Sequence, residues 1–250
     1  MFKVLFLYAT VLVAAFAAPA SDDDNWRVVG GSNADTGEFP YQVSLMTLSY
    51  SHFCGGSMIN SRTIVTAAHC VIYREAAEIR VVVGTNYLNI GGQLYPVNRI
   101  TTHPSYSSIT TANDVAVVIT ASAITAGPGI GPIALSTETT GAGVSVRLSG
   151  WGANGDPGLV LNILQKITLS TISDDDCKSR LSSIKPTFDT QVCTLTKAGE
   201  GACKGDSGGP LVSGNSLVGI VSWGYSCAKG YPDVYTRVSS FASWINDNAQ

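Results

Sequence analysis

The chain has 250 residues, 45% of them hydrophobic and only 13% charged, with 15 Lys and Arg against 18 Asp and Glu. That length and apolar content can fill one large core or two medium ones, which excludes a disordered or linker-like chain. A formal net charge of -3 and the lack of any Lys/Arg cluster exclude an electrostatic footprint for nucleic acid or an anionic surface.

In chain order, Met1-Phe2-Lys3 is followed by an almost unbroken apolar run to Ala18. At about fifteen residues it is shorter than the roughly 20 needed to span a bilayer. It ends in small residues around Ala15-Phe16-Ala17, so it reads as a cleaved signal peptide over residues 1–17, the cut falling between 17 and 20. No later segment is apolar for long enough to span. The expectation is a secreted, extracellular protein without membrane contact, in an oxidising compartment where six cysteines can pair. Next comes Ser21-Asp22-Asp23-Asp24-Asn25-Trp26-Arg27, then Val28-Val29-Gly30-Gly31; taken alone, the acidic run is a solvated linker.

Short β-rich runs follow, punctuated by glycine and proline: Tyr41 to Met46, Ile79 to Val83, Val115 to Ile119, Val144 to Leu148, Ile163 to Leu169 and Leu217 to Trp223. Regular short strands with turn signals predict a sandwich or barrel. Only the tail reads as helix, with Phe241, Trp244 and Ile245 at i, i+3 and i+4.

Three strings carry chemistry. Gly205-Asp206-Ser207-Gly208-Gly209-Pro210 sets one serine among glycines, which permit backbone angles closed to other residues and let the amides of Gly205 and Ser207 converge on one oxyanion. Alone, it reads as a surface turn. Thr66-Ala67-Ala68-His69-Cys70 offers an imidazole held beside a cysteine, suited to general-base work. Asn113-Asp114-Val115-Ala116-Val117-Val118 opens an apolar strand with an acid that is ordinarily a turn residue but could orient that imidazole. His, Asp, Ser is the chymotrypsin order of such a triad.

Together with Cys54-Gly55-Gly56-Ser57, Ser149-Gly150-Trp151-Gly152 and Ser222-Trp223-Gly224, these strings resemble the chymotrypsin (S1) family of serine endopeptidases over about residues 28 to 250. The resemblance implies an all-β fold of two six-stranded antiparallel barrels, about 28–140 and 141–238, with a C-terminal helix and the active site in the cleft between them. It implies His69 as general acid and base, Asp114 as its orienting partner, Ser207 as nucleophile, Gly205 and Ser207 as oxyanion-hole amides, and Ser222, Trp223 and Gly224 as the strand that pairs with substrate backbone. Six cysteines allow fifteen pairings; the resemblance implies Cys54 with Cys70, Cys177 with Cys193 and Cys203 with Cys227. It also implies that residues 18–27 are an activation peptide cut after Arg27, freeing an amine on Val28 to pair with Asp206.

For specificity, the resemblance aligns Gly201 with the base of the primary pocket, where trypsins have an aspartate, and Asp233 with a pocket-wall position commonly held by glycine. Asp233 could instead be a turn residue facing solvent. A neutral floor with an acid on the wall is similar to arthropod digestive chymotrypsins and collagenolytic peptidases. It implies cleavage after large apolar residues, with secondary cleavage after Arg or Lys. The loop Gly84 to Gln93 contains no carboxylate, and the three histidines are scattered, so no metal site and no cofactor is expected. The expected partners are protein and peptide substrates, protein inhibitors of proteases and an activating trypsin-like protease, the chain itself being a monomer. Two rival readings are an inactive homologue acting as a binding module, which predicts a replaced triad residue, and a trypsin-like cascade protease, which predicts an appended domain. No triad residue is replaced, and only about ten residues separate the signal from Arg27, which favours a digestive enzyme.

Overall fold

The computed structural model describes residues 28–249; the expected signal peptide 1–17 and the expected activation peptide 18–27, with Arg27, lie outside the described residues. The first barrel is built from β2 (Gln42–Met46), β3 (His52–Met58), β4 (Thr63–Thr66), β5 (Arg80–Val83), β6 (Gln93–Thr102) and β7 (Ala116–Thr120), preceded by the short β1 (Ser32–Asn33). It closes in the order β2-β3-β4-β7-β6-β5. Closure pairs every strand on both edges, and because side chains alternate between faces along a strand, the unbroken burial of β7 and of Val81, Val82 and Val83 in β5 means that both faces of these strands are covered.

After β8 (Ala134–Leu135), the strands β9 (Ser145–Gly150), β10 (Gln165–Ile172), β11 (Gln191–Thr194), β12 (Pro210–Ser213), β13 (Ser216–Gly224) and β14 (Asp233–Arg237) form the second barrel. They run β10-β11-β14-β13-β12-β9 and close through β9 with β10. Two pairings cross the expected boundary near residue 140: Ser32 and Asn33 of β1 pair with Lys166 and Gln165, and β8 adds in parallel to β13. These short strands take edges that the second barrel leaves open along β10 and β13, so two segments of the first half are hydrogen-bonded into the second sheet. One apolar cluster crosses the same boundary, holding Trp151, Leu217 and Ile220 together with Val43, Val65 and Val117, while a separate one fills the second barrel around Leu148, Leu211 and Tyr235.

The expected C-terminal helix is α3 (Ala242–Asn248), with Ile245 buried. The expectation that only the tail is helical is corrected. Besides the single turn α1 (Ala68–Val71), the chain forms α2 (Asp174–Leu181). Only Cys177 and Leu181 of α2 are buried, so its apolar periodicity is weak. Its stability comes from its ends: the Ser173 hydroxyl accepts from the Asp176 amide at 3.1 Å, Asp174 to Asp176 fill the first turn, and Lys178 and Arg180 lie in the last. All three disulfides form as the resemblance implies: Cys54–Cys70 joins β3 to α1, Cys177–Cys193 joins α2 to β11, and Cys203–Cys227 joins the serine loop to the segment after β13. Bridges of this size each stabilise a fold by about 2–4 kcal/mol.

Candidate active site

His69 lies in α1, directly after β4, where the Cys54–Cys70 bridge fixes the turn. Asp114 precedes β7, and Asn113 before it adopts φ +55°, with its side chain donating to the Ser105 carbonyl at 2.8 Å. That turn delivers the Asp114 carboxylate to His69. Oδ1 accepts the His69 backbone N–H at 2.9 Å, Oδ2 accepts from Nδ1 at 2.7 Å, and Oδ2 also accepts the Ser222 hydroxyl at 2.6 Å. The Thr236 hydroxyl donates to the Asp114 carbonyl at 2.7 Å. Three donors on one buried carboxylate fit an acceptor-only, ionised group, which assigns the imidazole proton to Nδ1 and leaves a lone pair on Nε2.

Ser222 reaches Asp114 because the ladder between β13 and β14 shifts register between Val221 and Trp223, making Ser222 the extra residue of a bulge. A bulge re-aims a side chain in this way. Beyond Ile220, β13 leaves β12, and among the described residues no strand covers the outer edge of Ser222 to Gly224.

Ser207 sits in a loop that two contacts hold. Its carbonyl accepts the Gly55 amide of β3 at 2.7 Å, and the Gly208 amide donates to Val221 at 2.8 Å. Gly208 has φ +76°, and a Cβ there would overlap the Thr66 hydroxyl and lie 2.7 Å from the Gly55 carbonyl oxygen, so only glycine fits. Gly205 has φ +101°. Among the described residues, neither the Gly205 nor the Ser207 N–H donates to a protein acceptor.

Ser207 lines two adjoining cavities. One, of about 580 Å³, is shared with His69 and bounded by Phe53, Tyr73, Arg74 and Glu78. The other, of about 160 Å³, is bounded by Ala202, Ser222, Trp223, Gly224 and Asp233. Asp233 is not the solvent-facing turn residue of the alternative reading. It is buried, its Oδ2 accepts the Ala202 amide at 2.7 Å, and a Cβ on Gly201 would overlap that oxygen. Burial pushes its carboxyl up to about 7, helped by the charge of Asp206 and opposed by the Ala202 bond. Gly201 itself is buried, at φ +151°, behind the acid.

Asp206 is fully buried, accepting from the Gly152 amide at 2.8 Å and the Cys203 amide at 3.0 Å. Burial raises its carboxyl to about 6 against those two bonds. Among the described residues no cation pairs with it. Val28 is buried as well, in the apolar cluster that contains Val146, Leu148 and Ala202.

Two residues near the loop were not expected from sequence. His52 stands 2.9 Å from the Gly205 carbonyl through Nε2 and 2.8 Å from the Ser44 hydroxyl through Nδ1, with its ring against Trp151. Burial lowers its pKa against the bond to Gly205, so the neutral ring donates from Nε2 and accepts at Nδ1. Thr236 is the other, fixing the Asp114 backbone from β14. The one available signal for His52 was its place two residues before Cys54. Among the described residues, the group of metal-ligating side chains close enough to share an ion is Cys54, His69 and Cys70, whose sulfurs are joined in a disulfide.

A family model described as Trypsin matches residues 28–245. The chain is 41% identical over 222 residues to Chymotrypsin-2 of Vespa crabro, covering 88% of this chain and 99% of that protein. It is 41% identical over 224 residues to Trypsin alpha-4 of Lucilia cuprina, covering 88% and 86%. It is 40% identical over 228 residues to Trypsin theta of Drosophila erecta, covering 90% and 87%.

Proposed function

The chain belongs to the trypsin family of serine endopeptidases, and on that premise we propose that Ser207 is its nucleophile, His69 its general base and acid, and Asp114 the group that orients the imidazole. One observation carries the reading: Asp114 grips His69 at Nδ1 while Nε2 keeps its lone pair beside the cleft that Ser207 lines. Ser207 Oγ adds to the substrate carbonyl carbon as its proton passes to Nε2. That proton then goes to the departing amine as the C–N bond breaks, leaving an acyl ester on Ser207. Water repeats both transfers and releases the acid. Charge gathering on the carbonyl oxygen meets the uncommitted amides of Gly205 and Ser207, and each such donor contributes about 3 kcal/mol. The free edge of Ser222, Trp223 and Gly224 suits an extended substrate laid down as an added strand.

The primary pocket is read as accepting large apolar or aromatic side chains, with secondary cleavage after Arg or Lys. Relatives named as a trypsin and a chymotrypsin match equally at 41% identity, so overall similarity does not choose between them. The support is Asp233, a buried acid with one amide donor and no cation, which can stand neutral beside an aromatic ring or ionised beside a base.

Activation follows the same logic. Cutting after Arg27 would free the Val28 amine, and Asp206 is a buried carboxylate in want of a cation. Their pairing would brace the loop that carries the Gly205 amide. The apolar run before Arg27 supports a secreted, extracellular enzyme; a digestive role, cutting by a trypsin-like protease, a monomeric state, protein substrates and sensitivity to protein inhibitors are what the family resemblance implies. The test is peptide hydrolysis by the cut protein. Ser207→Ala and His69→Ala should each lose about 10⁴-fold or more while still folded, and near-normal turnover by Ser207→Ala would overturn the mechanism.

A further inference from the structure

Lys185 stands outside the machinery described so far. Its amide donates to the Leu181 carbonyl at 2.9 Å, so its backbone is tied to the end of α2, which Cys177–Cys193 pins to β11. Its ammonium lies 5.1 Å from the centroid of the Trp223 ring. Trp223 is the middle residue of the uncovered edge Ser222 to Gly224 and lines the smaller cavity beside Ser207. Among the described residues, the Lys185 ammonium has no carboxylate partner within salt-bridge distance. The acid whose charge acts on it is Asp114, a buried carboxylate already engaged by His69 at 2.7 Å and by the Ser222 hydroxyl at 2.6 Å. The leaving-group side differs: Arg74, seated over Phe53 at 3.9 Å, shares its cleft with Glu78, so the two charges offset each other there.

We propose that Lys185 is a specificity-determining residue, selecting substrates with an acidic side chain at the second or fourth residue on the acyl side of the scissile bond. A peptide laid along Ser222 to Gly224 alternates its side chains between faces. The residue at the cut enters the cavity under Asp233, so the second and fourth turn the other way, over the Trp223 ring where Lys185 waits. Half-burial already costs the ammonium part of its hydration, and its pKa is lowered because desolvation outweighs the distant pull of Asp114. A substrate carboxylate would return what burial removes, while a substrate cation would meet both repulsion and that same desolvation.

The inference rests on the cleft reading proposed above. Its test uses the protein cut after Arg27 and matched peptides, identical at the scissile bond, that carry Glu, Gln or Lys at the second or the fourth position. At low ionic strength kcat/KM should favour Glu over Gln by about three- to tenfold at one of these positions, the range of a partly exposed ion pair, with Lys below Gln. Lys185→Arg should keep the order, Lys185→Gln should bring Glu and Gln level, and Lys185→Glu should invert it. Raising salt to about 0.5 M should compress the differences. Peptide binding to the Ser207→Ala protein should show the same ranking, which keeps this result separate from any failure of the triad. A Glu-to-Gln ratio within twofold at both positions, or one that survives Lys185→Gln, would overturn the assignment.

Discussion

Replacing Asp233 by Asn keeps an oxygen to accept the Ala202 amide now bonded at 2.7 Å and removes only the ability to ionise. In the native pocket, burial holds the Asp233 carboxyl at about 7 instead of the ordinary 3.8. That gap of roughly three units means that ionising it without a cation costs about 4 kcal/mol. A carboxyl raised in this way is neutral below the shifted value and charged above it, so its stabilising contribution to the fold is lost as pH rises through about 7. A bound Arg or Lys side chain needs the charged form, while a Phe side chain is better served by the neutral one. The fraction ionised rises about tenfold between pH 6 and pH 8 for a group titrating near 7. The ratio of kcat/KM for Arg to that for Phe, on otherwise identical peptides, should rise by at least that factor, and by up to about 100-fold if Phe binds only the neutral form. Taking the ratio cancels any pH dependence of the chemical steps that both substrates share. In Asp233→Asn the ratio should be flat with pH and lower by about 10- to 100-fold at pH 8, the loss of a charge-assisted pair. A native ratio that does not change with pH, together with an unchanged ratio in Asp233→Asn, would refute the argument that this acid sets the pocket.

Burial raises Asp206 to about 6, so the uncut chain loses stability as pH climbs through that value, whereas a Val28 amine would offset the charge. Calorimetry of the uncut Arg27→Gln protein and the cut native protein should therefore show a stability gap wider at pH 8 than at pH 5, by up to about 3 kcal/mol for a two-unit shift; an equal gap at both would count against the pairing. Ser222→Ala removes the 2.6 Å donor to Asp114 and should lower kcat about tenfold with the Arg-to-Phe ratio unchanged, as steady-state kinetics would register. Gly208→Ala sets a methyl group against the Thr66 hydroxyl at a positive φ, and thermal denaturation should show a loss of about 2 kcal/mol or more.

The parts of the site legible in sequence are those whose chemistry is packed into short strings. The His69-Cys70 pair, Asp114 at the head of β7 and Ser207 among glycines are each ambiguous alone, and their order along the chain narrows the reading. Strands were legible because runs such as Val117-Val118-Ile119 are β-branched and apolar, and the resemblance implies their closure into two barrels. What stayed hidden depends on pairings across long stretches of chain. Nothing local in Ser32-Asn33 says that it will lie against Gln165 and Lys166. The resemblance aligns Asp233 with the pocket wall, but a Pro-Asp turn is ordinarily solvated, and it is the packing against Gly201 and the Ala202 amide that turns the carboxylate inward. Ser222 was legible as part of the substrate-binding strand, yet its bond to Asp114 exists only because a bulge falls there. His52 carried little signal because its partners, Ser44 and the Gly205 carbonyl, come from a neighbouring strand and the other barrel's loop. The helix α2 escaped notice because its ends, not its buried face, hold it together.

The central claim is that His69 activates Ser207 as the attacking oxygen, and covalent labelling tests it most directly. The protein cut after Arg27 would be treated with an organophosphorus fluoridate, which reacts with activated serine hydroxyls, and the adduct located by peptide mass spectrometry. The account predicts one adduct per chain, on the peptide carrying Ser207, with peptidase activity lost in step and labelling nearly absent in His69→Ala. A protein that stays unlabelled at Ser207 while retaining activity, or that labels Ser207 equally fast without His69, would contradict it.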